Sequence, residues 1–448
     1  MKEGIRNDMI QILQQSYSQQ LHEKLEMKAA RIGIMGLGYV GLPTACYYAE
    51  KGYNVTGFEV SPIKVNKLNQ GISYIDDIDQ QRLEKIVRNH SFIATTDMKK
   101  LSEMDVILIC VPTPINSAKE PDLAYVKDAG LTVANHVTKG TLIILESTTY
   151  PGTTEVYIGQ PLIEHGFSIG DTIFVAYSPE RVDPGNQEFD FSNTPKVVGG
   201  MTPNCTKLAS ACIGHTAHQV NDIRVAELSK VFENTFRWVN IGLVNELALL
   251  CHEFQIDVWE TIQAAASKPY GFMKFTPSIG VGGHCIPVDP YYLTYKAKEQ
   301  GKRTKLIDAA GEINDGMAQY IYIRILELLA EHNKLIKQSH VVVLGASYKP
   351  NIGDLRESPV IKLLEHLQGK TKRLTIIEPY VDELRIHGQA HSVQAYESSL
   401  IQEADIVIIG TPHDCFEWED VYNHAKLIFD SQNVMKQKGY DVPFIEAL

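Results

Sequence analysis

The chain predicts an α/β protein in which two Rossmann-like parallel-sheet domains are joined by a helical core with a long central helix. Three observations carry this. Short apolar strands alternate with helical stretches over residues 31–177, the pattern of a parallel sheet covered by helices on both faces. From about Asp222 the texture changes, and helical segments continue to about 337 as a mostly helical connector. At 340–344 (HVVVL) apolar strands begin again. A chain of 448 residues is also too long for one hydrophobic core. The expected divisions are a helical extension over 1–28, a first sheet domain over 29–215, a helical domain over 216–337 and a second sheet domain over 338–448.

In chain order, residues 1–30 lack the apolar core of a signal peptide and read as a Gln-rich amphipathic helix, a docking extension. Residues 31–35 (RIGIM) form a strand that runs into Gly36-Leu37-Gly38-Tyr39-Val40-Gly41 and then a helix through Glu50. Further strands are expected at 54–60, 105–111, 141–146 and 172–177. Residues 222–254 read as one helix. A helix of that length often supports a subunit interface, so a homodimer or higher homo-oligomer is expected. In the second sheet domain, strands are expected at 340–344, 373–377, 405–409 and 426–429, with Gly345 after the first.

A net charge of −12 argues against a nucleic-acid partner, which requires a basic footprint. No apolar run approaches the roughly 20 residues of a membrane span, so no membrane partner is expected. The seven cysteines (46, 110, 205, 212, 251, 285, 415) are scattered without a CxxC pair, which speaks against a disulfide framework or a metal site. A reducing cytoplasm is the expected location.

The glycine fingerprint follows a strand, opens a helix and has an acid, Glu59, at the end of the next strand. That is the full context of a dinucleotide site. Gly36 permits the turn, Gly38 lets the backbone approach a pyrophosphate at the helix N-terminus, and Gly41 allows close packing. Glu59 accepts ribose hydroxyls and repels a 2′-phosphate, which favours NAD over NADP. Cys110-Val111-Pro112-Thr113-Pro114 and Glu146-Ser147-Thr148 end later strands, where ligands bind in such sheets. Thr113 and Thr148 are candidate cofactor or water contacts, or else turn and cap residues.

Residues 280–290 read Gly-Val-Gly-Gly-His-Cys-Ile-Pro-Val-Asp-Pro. Glycines before Cys285 free the backbone to approach a ligand, and Asp289 can return to the same site. A thiolate gives an alcohol dehydrogenase a way to hold the aldehyde as a thiohemiacetal, oxidise it to a thioester and release an acid. The alternative is a buried structural cysteine. On the long helix Lys230, Asn234 and Arg237 share one face, either a solvated stripe or an active-site wall. Near Cys285, Lys230 would lower the thiol pKa, and Asn234 would be a second oxyanion donor.

Together these residues resemble the UDP-glucose/GDP-mannose dehydrogenase family over about 29–435. The resemblance runs through GLGYVGLP (36–43), VPTP (111–114), ESTTYPGTT (146–154), SPERVDPGN (178–186), AELSKVFENTFRWVNIGLVNE (226–246), VGGHCIPVDP (281–290) and YKPNIGDLRESP (348–359). It implies an NAD domain, a helical dimerisation domain and a UDP-sugar domain, with two NAD consumed per sugar. By position it implies Cys285 as nucleophile, Lys230 and Asn234 as oxyanion donors, and Asp289 as organiser of water and thiol. Glu180 would act in thioester hydrolysis and Thr148 would hold the water. It also implies cofactor contacts at Tyr39, Val40, Lys64, Pro112, Ser147 and Arg356. Substrate contacts are implied at Glu180, Arg181, Lys230, Asn234, Arg237, Phe275, Gly282, Tyr348 and Lys349.

HCIPVDPYYL, SPERVDPGN and KPYGFMKF are similar to the branch acting on UDP-N-acetylhexosamines. The expected substrate is UDP-N-acetylglucosamine, then UDP-N-acetylmannosamine, then UDP-glucose. Two departures stand out. Thr-Pro-Ser-Ile-Gly occupies 276–280 where this branch commonly has Pro-Gly-Pro-Gly, and Gln432 stands where the family typically has Arg.

Overall fold

The computed structural model describes residues 16–75, 78–116, 118–182 and 188–448. The expected N-terminal helix therefore lies partly outside the described residues, as does part of the 178–186 motif. The chain separates into two compact units, Met1–Glu233 with Tyr291–Glu299, and Asn234–Pro290 with Gln300–Leu448. The division falls within the expected long helix, which is continuous over Ile223–Phe254.

The first unit is built on an eight-stranded sheet: β1 (Arg31–Met35), β2 (Asn54–Phe58), β3 (Phe92–Thr95), β4 (Val106–Ile109), β5 (Leu142–Leu145), β6 (Phe174–Tyr177), β7 (Lys196–Gly200) and β8 (Ala217–Gln219). The strand order is β3-β2-β1-β4-β5-β6-β7-β8. All pairings are parallel except β6 with β7. Every residue of β4, β5 and β6 is buried, as expected of central strands covered on both faces. The chain reverses its direction of travel across the sheet between β3 and β4, leaving a crevice at the strand C-termini where such folds bind ligands. The helix Tyr17–Glu26 starts at a capping box, in which Ser16 and Gln19 satisfy each other's backbone amides. It docks through the buried Leu21 and Leu25, and the Tyr53 hydroxyl donates to the Leu25 carbonyl.

In the second unit β9 (His340–Leu344), β10 (Arg373–Ile377), β13 (Ile406–Ile409), β14 (Ile428–Asp430) and β15 (Ile445–Ala447) form a parallel sheet ordered β10-β9-β13-β14-β15. A separate hairpin comprises β11 (Glu383–Ile386) and β12 (Gln389–Ser392). Helical segments continue to about 337, as expected, through Val258–Ala266, Asp289–Glu299 and Lys305–Glu331. Residues between the Val258–Ala266 and Asp289–Glu299 helices contain no regular element, because glycine and proline recur through 269–290. This irregular segment carries Cys285. It is anchored by a relay of buried amides: Ser278 N donates to Asn245 Oδ1, Asn245 Nδ2 to Asn314 Oδ1, and Asn314 Nδ2 to the Trp238 carbonyl. Ile279 meanwhile inserts into the core beneath β9 and β13. The unusual 276–280 sequence is thus a plug with a polar anchor.

Candidate active site

In the first unit the dinucleotide fingerprint adopts the shape its chemistry requires. Gly36 has φ +86°, and a Cβ there would meet the Cys110 carbonyl at 2.8 Å. A Cβ on Gly41 would lie 1.8 Å from the Gly36 carbonyl, so the helix Gly41–Glu50 starts tight against the turn. At Gly38 a Cβ would meet nothing within 4 Å, and the helix has Val40 at its N-cap with no side-chain hydrogen bond. Leu42 N donates to the Gly38 carbonyl and Pro43 has no N–H, so an anion at this helix end would be met by the Gly38–Gly41 backbone. Glu59 is buried just beyond β2, with Oε2 accepting from Leu37 N at 3.4 Å and Oε1 from Ser61 N at 3.1 Å. Lys64 lies 5.0 Å from the ring of Tyr74, whose hydroxyl donates to the Leu37 carbonyl. The residues present fit NAD: an open turn for the pyrophosphate and a fixed acid for the ribose. Tyr39 is exposed beside the turn.

The ends of β4 and β5 hold the other cofactor candidates. Pro112 is exposed and Thr113 buried, and the Thr113 carbonyl accepts from the Tyr292 hydroxyl at 2.8 Å. Ser147 Oγ donates to the Val111 carbonyl at 2.7 Å, tying the two strand ends together, with half-buried Thr148 next to it. Glu227, fully buried on the long helix, accepts from the amides of Gly152 and Thr154 and from the Thr154 hydroxyl. It fixes the loop that follows Thr148. Lys230 is buried one turn further along. Within its unit it has no hydrogen-bond or ion-pair partner among the described residues, an arrangement that suits an ammonium awaiting an anionic ligand.

The structure also shows a group that the sequence reading missed. Lys196, in β7, sits between two carboxylates, 2.7 Å from Glu146 and 3.3 Å from Glu180. Burial opposes its charge, but the two carboxylates hold its pKa up. Burial pushes the Glu146 carboxyl up, opposed by Lys196. Arg181 is bidentate on Glu233, and its remaining nitrogen donates to the Pro195 carbonyl. Its guanidinium is thus committed within the protein.

The second unit carries the thiol. Cys285 is exposed, whereas Cys46, Cys110, Cys205, Cys212 and Cys251 are buried. Its carbonyl accepts from Val288 N and Asp289 N, which closes a tight turn into the helix that follows. Asp289 and Asn234 are both buried, and Asn234 Nδ2 donates to Asp289 Oδ2 at 2.5 Å. The glycines before the thiol require a corrected reason. A Cβ on Gly282 would lie 2.5 Å from Tyr348 Cβ and 2.9 Å from Pro359 Cδ. Gly283 has φ +89°, and a Cβ there would meet the Tyr348 ring at 3.0 Å. What approaches this backbone is Tyr348 of the protein itself. Gly283 N also donates to the Arg356 carbonyl, so the Cys285 loop and the 348–359 loop are held together. The Arg356 side chain forks onto Asp354, and burial with the nearby Arg356 charge pushes His284 down.

Tyr348 N donates to the Asp354 carbonyl, and the Ser347 hydroxyl to the Lys349 carbonyl. Phe275 packs on the cluster of Val244, Ala248, Cys251, Val258 and Ile262 and lies edge-to-face with Phe236 at 6.0 Å. Arg237 is exposed on the helix. Gln432 N donates to the fully buried Asp430, which also accepts from Met435 N. Among the described residues there is no cluster of potential metal ligands, and no helix is long and apolar enough to cross a membrane.

Comparison with known proteins gives three consecutive matches to one family: its NAD binding domain over residues 30–215, its central domain over 224–316 and its UDP binding domain over 342–437. The UDP-N-acetyl-D-mannosamine dehydrogenase of Pyrococcus horikoshii is 35% identical over 91% of this chain and 96% of its own. A UDP-N-acetyl-D-glucosamine 6-dehydrogenase of Salmonella typhi is 33% identical over 92% and 98%. A solved structure of the Pyrococcus horikoshii UDP-ManNAc dehydrogenase superposes with a TM-score of 0.84, covering 93% of this chain and 98% of that one at 33% identity. With these matches, and with the NAD turn intact in the first unit, the chain belongs to the UDP-glucose/GDP-mannose dehydrogenase family and is an NAD-dependent UDP-sugar dehydrogenase.

Proposed function

We propose that the chain oxidises the C6 alcohol of UDP-N-acetylglucosamine to the carboxylate, giving UDP-N-acetylglucosaminuronate for surface polysaccharide synthesis, with Cys285 as covalent nucleophile. The observation that carries this reading is the exposed Cys285 on a turn leading directly into the buried Asp289–Asn234 pair. NAD supplies the hydride acceptor, two per sugar, when bound at the Gly36–Gly41 turn. Loss of one C6 hydride and the hydroxyl proton gives the aldehyde, to which the Cys285 thiolate adds, forming a C–S bond as the carbonyl oxygen takes a proton. Loss of the C6 hydride and the hydroxyl proton leaves a thioester. Water then adds, the thiolate departs, and the released acid ionises to the carboxylate. Per sugar, one water is consumed, two hydrides leave and three protons are freed.

The residues divide this work. The Asn234 amide nitrogen has two hydrogens. Asp289 takes one, and the other remains for the oxyanion formed when sulfur or water adds. Lys230, buried with no hydrogen-bond or ion-pair partner among the described residues of its unit, supplies the complementary charge. Thr148 and Glu180 are assigned to the hydrolytic water. Lys349 and Tyr348 are assigned to the UDP moiety. The two named relatives are C2-epimer dehydrogenases at similar identity; HCIPVDPYYL, SPERVDPGN and KPYGFMKF support the UDP-N-acetylhexosamine branch as a whole, within which the glucosamine epimer is the reading proposed. UDP-N-acetylmannosamine and then UDP-glucose are the alternatives. Arg237 is assigned to sugar selectivity. Arg237→Leu should reduce the preference for acetamido sugars over UDP-glucose, and an unchanged preference removes that assignment.

The exposed side chains of Phe236, Leu243, Leu250 and Phe254 recur after two turns, two turns and one turn, an apolar stripe of the kind buried between paired helices. It supports a homodimer made with a second copy of this chain.

NADH formed per sugar, measured with UDP-N-acetylglucosamine, UDP-N-acetylmannosamine and UDP-glucose for wild type and Cys285→Ser, tests the whole reading. Two NADH per sugar, with the highest kcat/KM for UDP-N-acetylglucosamine and no uronate from the variant, is expected. One NADH per sugar, or unimpaired variant turnover, overturns it.

A further inference from the structure

The glycine turn of the first unit is held from both sides at Leu37. The Leu37 N–H donates to Glu59 Oε2 at 3.4 Å, and the Leu37 carbonyl accepts from the Tyr74 hydroxyl at 2.6 Å. The two contacts restrain different peptides. Glu59 holds the one before Leu37, and Tyr74 holds the one after it. That second peptide can turn about Leu37 ψ and Gly38 φ, and glycine offers the rotation little resistance. It is trans, so its C=O and N–H point in opposite directions. A hydroxyl that fixes the carbonyl on one side therefore fixes where the Gly38 N–H points on the other. This N–H donates to nothing among the described residues, and a Cβ on Gly38 would meet nothing within 4 Å.

Tyr74 lies between the helices Pro62–Asn69 and Gln80–Arg88, in a segment fastened so as to present it. The Ser73 hydroxyl donates to the Ile75 carbonyl at 2.9 Å and accepts from Ile75 N at 3.0 Å. Gln80 bridges the base of the segment, accepting from Ser73 N and donating to the Gly71 carbonyl. Ile75 and Ile78 are buried in the core beside the first sheet, and Tyr74 packs against that core. The Lys64 ammonium lies 5.0 Å from the Tyr74 ring, a cation–π contact that steadies it further. Burial, and then the Glu59 carboxylate, push the Tyr74 hydroxyl up, so it stays protonated and donates.

We propose that Tyr74 is a positioning residue for the cofactor: through the Leu37 carbonyl it aims the Gly38 N–H at the NAD pyrophosphate. Without the hydroxyl the Leu37–Gly38 peptide samples both orientations, and binding has to order it. With the hydroxyl that ordering is already present in the free protein, which is the usual gain of preorganisation.

Tyr74→Phe keeps the ring and its Lys64 contact and removes the hydroxyl. Titration calorimetry of the full chain with NAD and with ADP-ribose, and competition of adenosine against ADP-ribose, read the effect. NAD and ADP-ribose should weaken together by about 3–10-fold, the scale of one hydrogen bond. Adenosine, which has the ribose but no phosphate, should keep its wild-type affinity. A role confined to holding the loop predicts a lower Tm with NAD affinity unmoved, or one loss shared by all three ligands, and either result overturns the proposal. Should Tyr74→Phe fail to fold, Ser73→Ala loosens the turn that presents the hydroxyl and should give the same pattern in smaller measure. Equal losses for adenosine and ADP-ribose in that variant, or none for either, overturn the proposal as well.

Discussion

Asn234→Asp would place a second carboxyl where an amide now donates to Asp289 across 2.5 Å in a buried site. Two full charges at that separation repel by about 7 kcal/mol at an effective dielectric of about 20, equivalent to about 5 pKa units. One proton therefore stays with the pair at neutral pH. The unfolded chain releases the same proton near pH 4. Above about pH 4 the folded variant binds more protons than the unfolded one, so its stability falls by about 1.4 kcal/mol per pH unit until the pair ionises. From pH 5 to 7 that is a loss of about 2.7 kcal/mol relative to wild type. For a unit of about 200 residues it corresponds to a Tm gap that widens by about 5–11 °C. Calorimetry of wild type, Asn234→Asp and Asn234→Ala at pH 5, 6 and 7 measures it. The alanine variant loses a donor but should show a constant gap. If the Asn234→Asp gap does not grow with pH, the two side chains are not a desolvated pair, and the oxyanion assignment of Asn234 loses its geometric basis.

Gly282→Ala drives a Cβ into Tyr348 and Pro359. The expected overpacking cost is about 1–3 kcal/mol, read by thermal unfolding, with slower NADH formation because the Cys285 loop shifts. His413→Leu deprives buried Glu378 of one donor, at about 1–3 kcal/mol. Burial pushes the Glu378 carboxyl up, but His413 and the Ala346 and Tyr380 amides more than offset this and hold it below its usual value. Its stabilisation is present above the ordinary carboxylate pKa and is lost as pH falls through the depressed folded value. Acid unfolding of His413→Leu, followed by circular dichroism, should therefore begin at higher pH than in wild type. Leu243→Glu places a charge on the exposed apolar stripe and should yield a monomer in light scattering, and an unchanged mass would exclude this face as the interface.

Much of the fold is legible in the sequence because the central strands are apolar runs with no competing period. The elements missed are those whose stability comes from pairing partners distant in sequence. In β3, Ile93 faces solvent between buried neighbours. The β8 strand is three residues long, none of them buried, and the β11–β12 hairpin is largely exposed. In the candidate site, Glu59, Cys285 and Asp289 are visible because fingerprint and spacing expose them. Lys196 is not, because one cation in an apolar strand reads as an edge residue until two carboxylates, 50 and 16 residues away, are placed beside it. The reason for Gly282 was hidden likewise. Glycine before cysteine suggests room for a ligand, and only the fold shows Tyr348 in that space.

The two sheets repeat one corner, and its different endings explain their different tasks. Gly36 N donates to the Phe58 carbonyl, and Gly345 N to the Ile377 carbonyl. Both glycines have positive φ and lie against the backbone at the end of a neighbouring strand, at Cys110 and Thr411. Each second strand then ends in an acid that caps the turn: Glu59 accepts from Leu37 N, and Glu378 from Ala346 N and Ser347 N. In the first unit the Tyr74 hydroxyl donates to the Leu37 carbonyl at the edge of the turn, and Gly38 faces open space. In the second unit His413 donates from Nε2 to Glu378, a proton position assigned because Nδ1 accepts from Asn351 N. The imidazole occupies the acid and braces the loop carrying Tyr348 and Lys349 through the Asn351 amide. A dinucleotide corner has become a loop clamp. The same strand–glycine–strand–acid pattern thus stands open in one unit and clamps a loop in the other, and the histidine that makes the difference lies 35 positions beyond the acid.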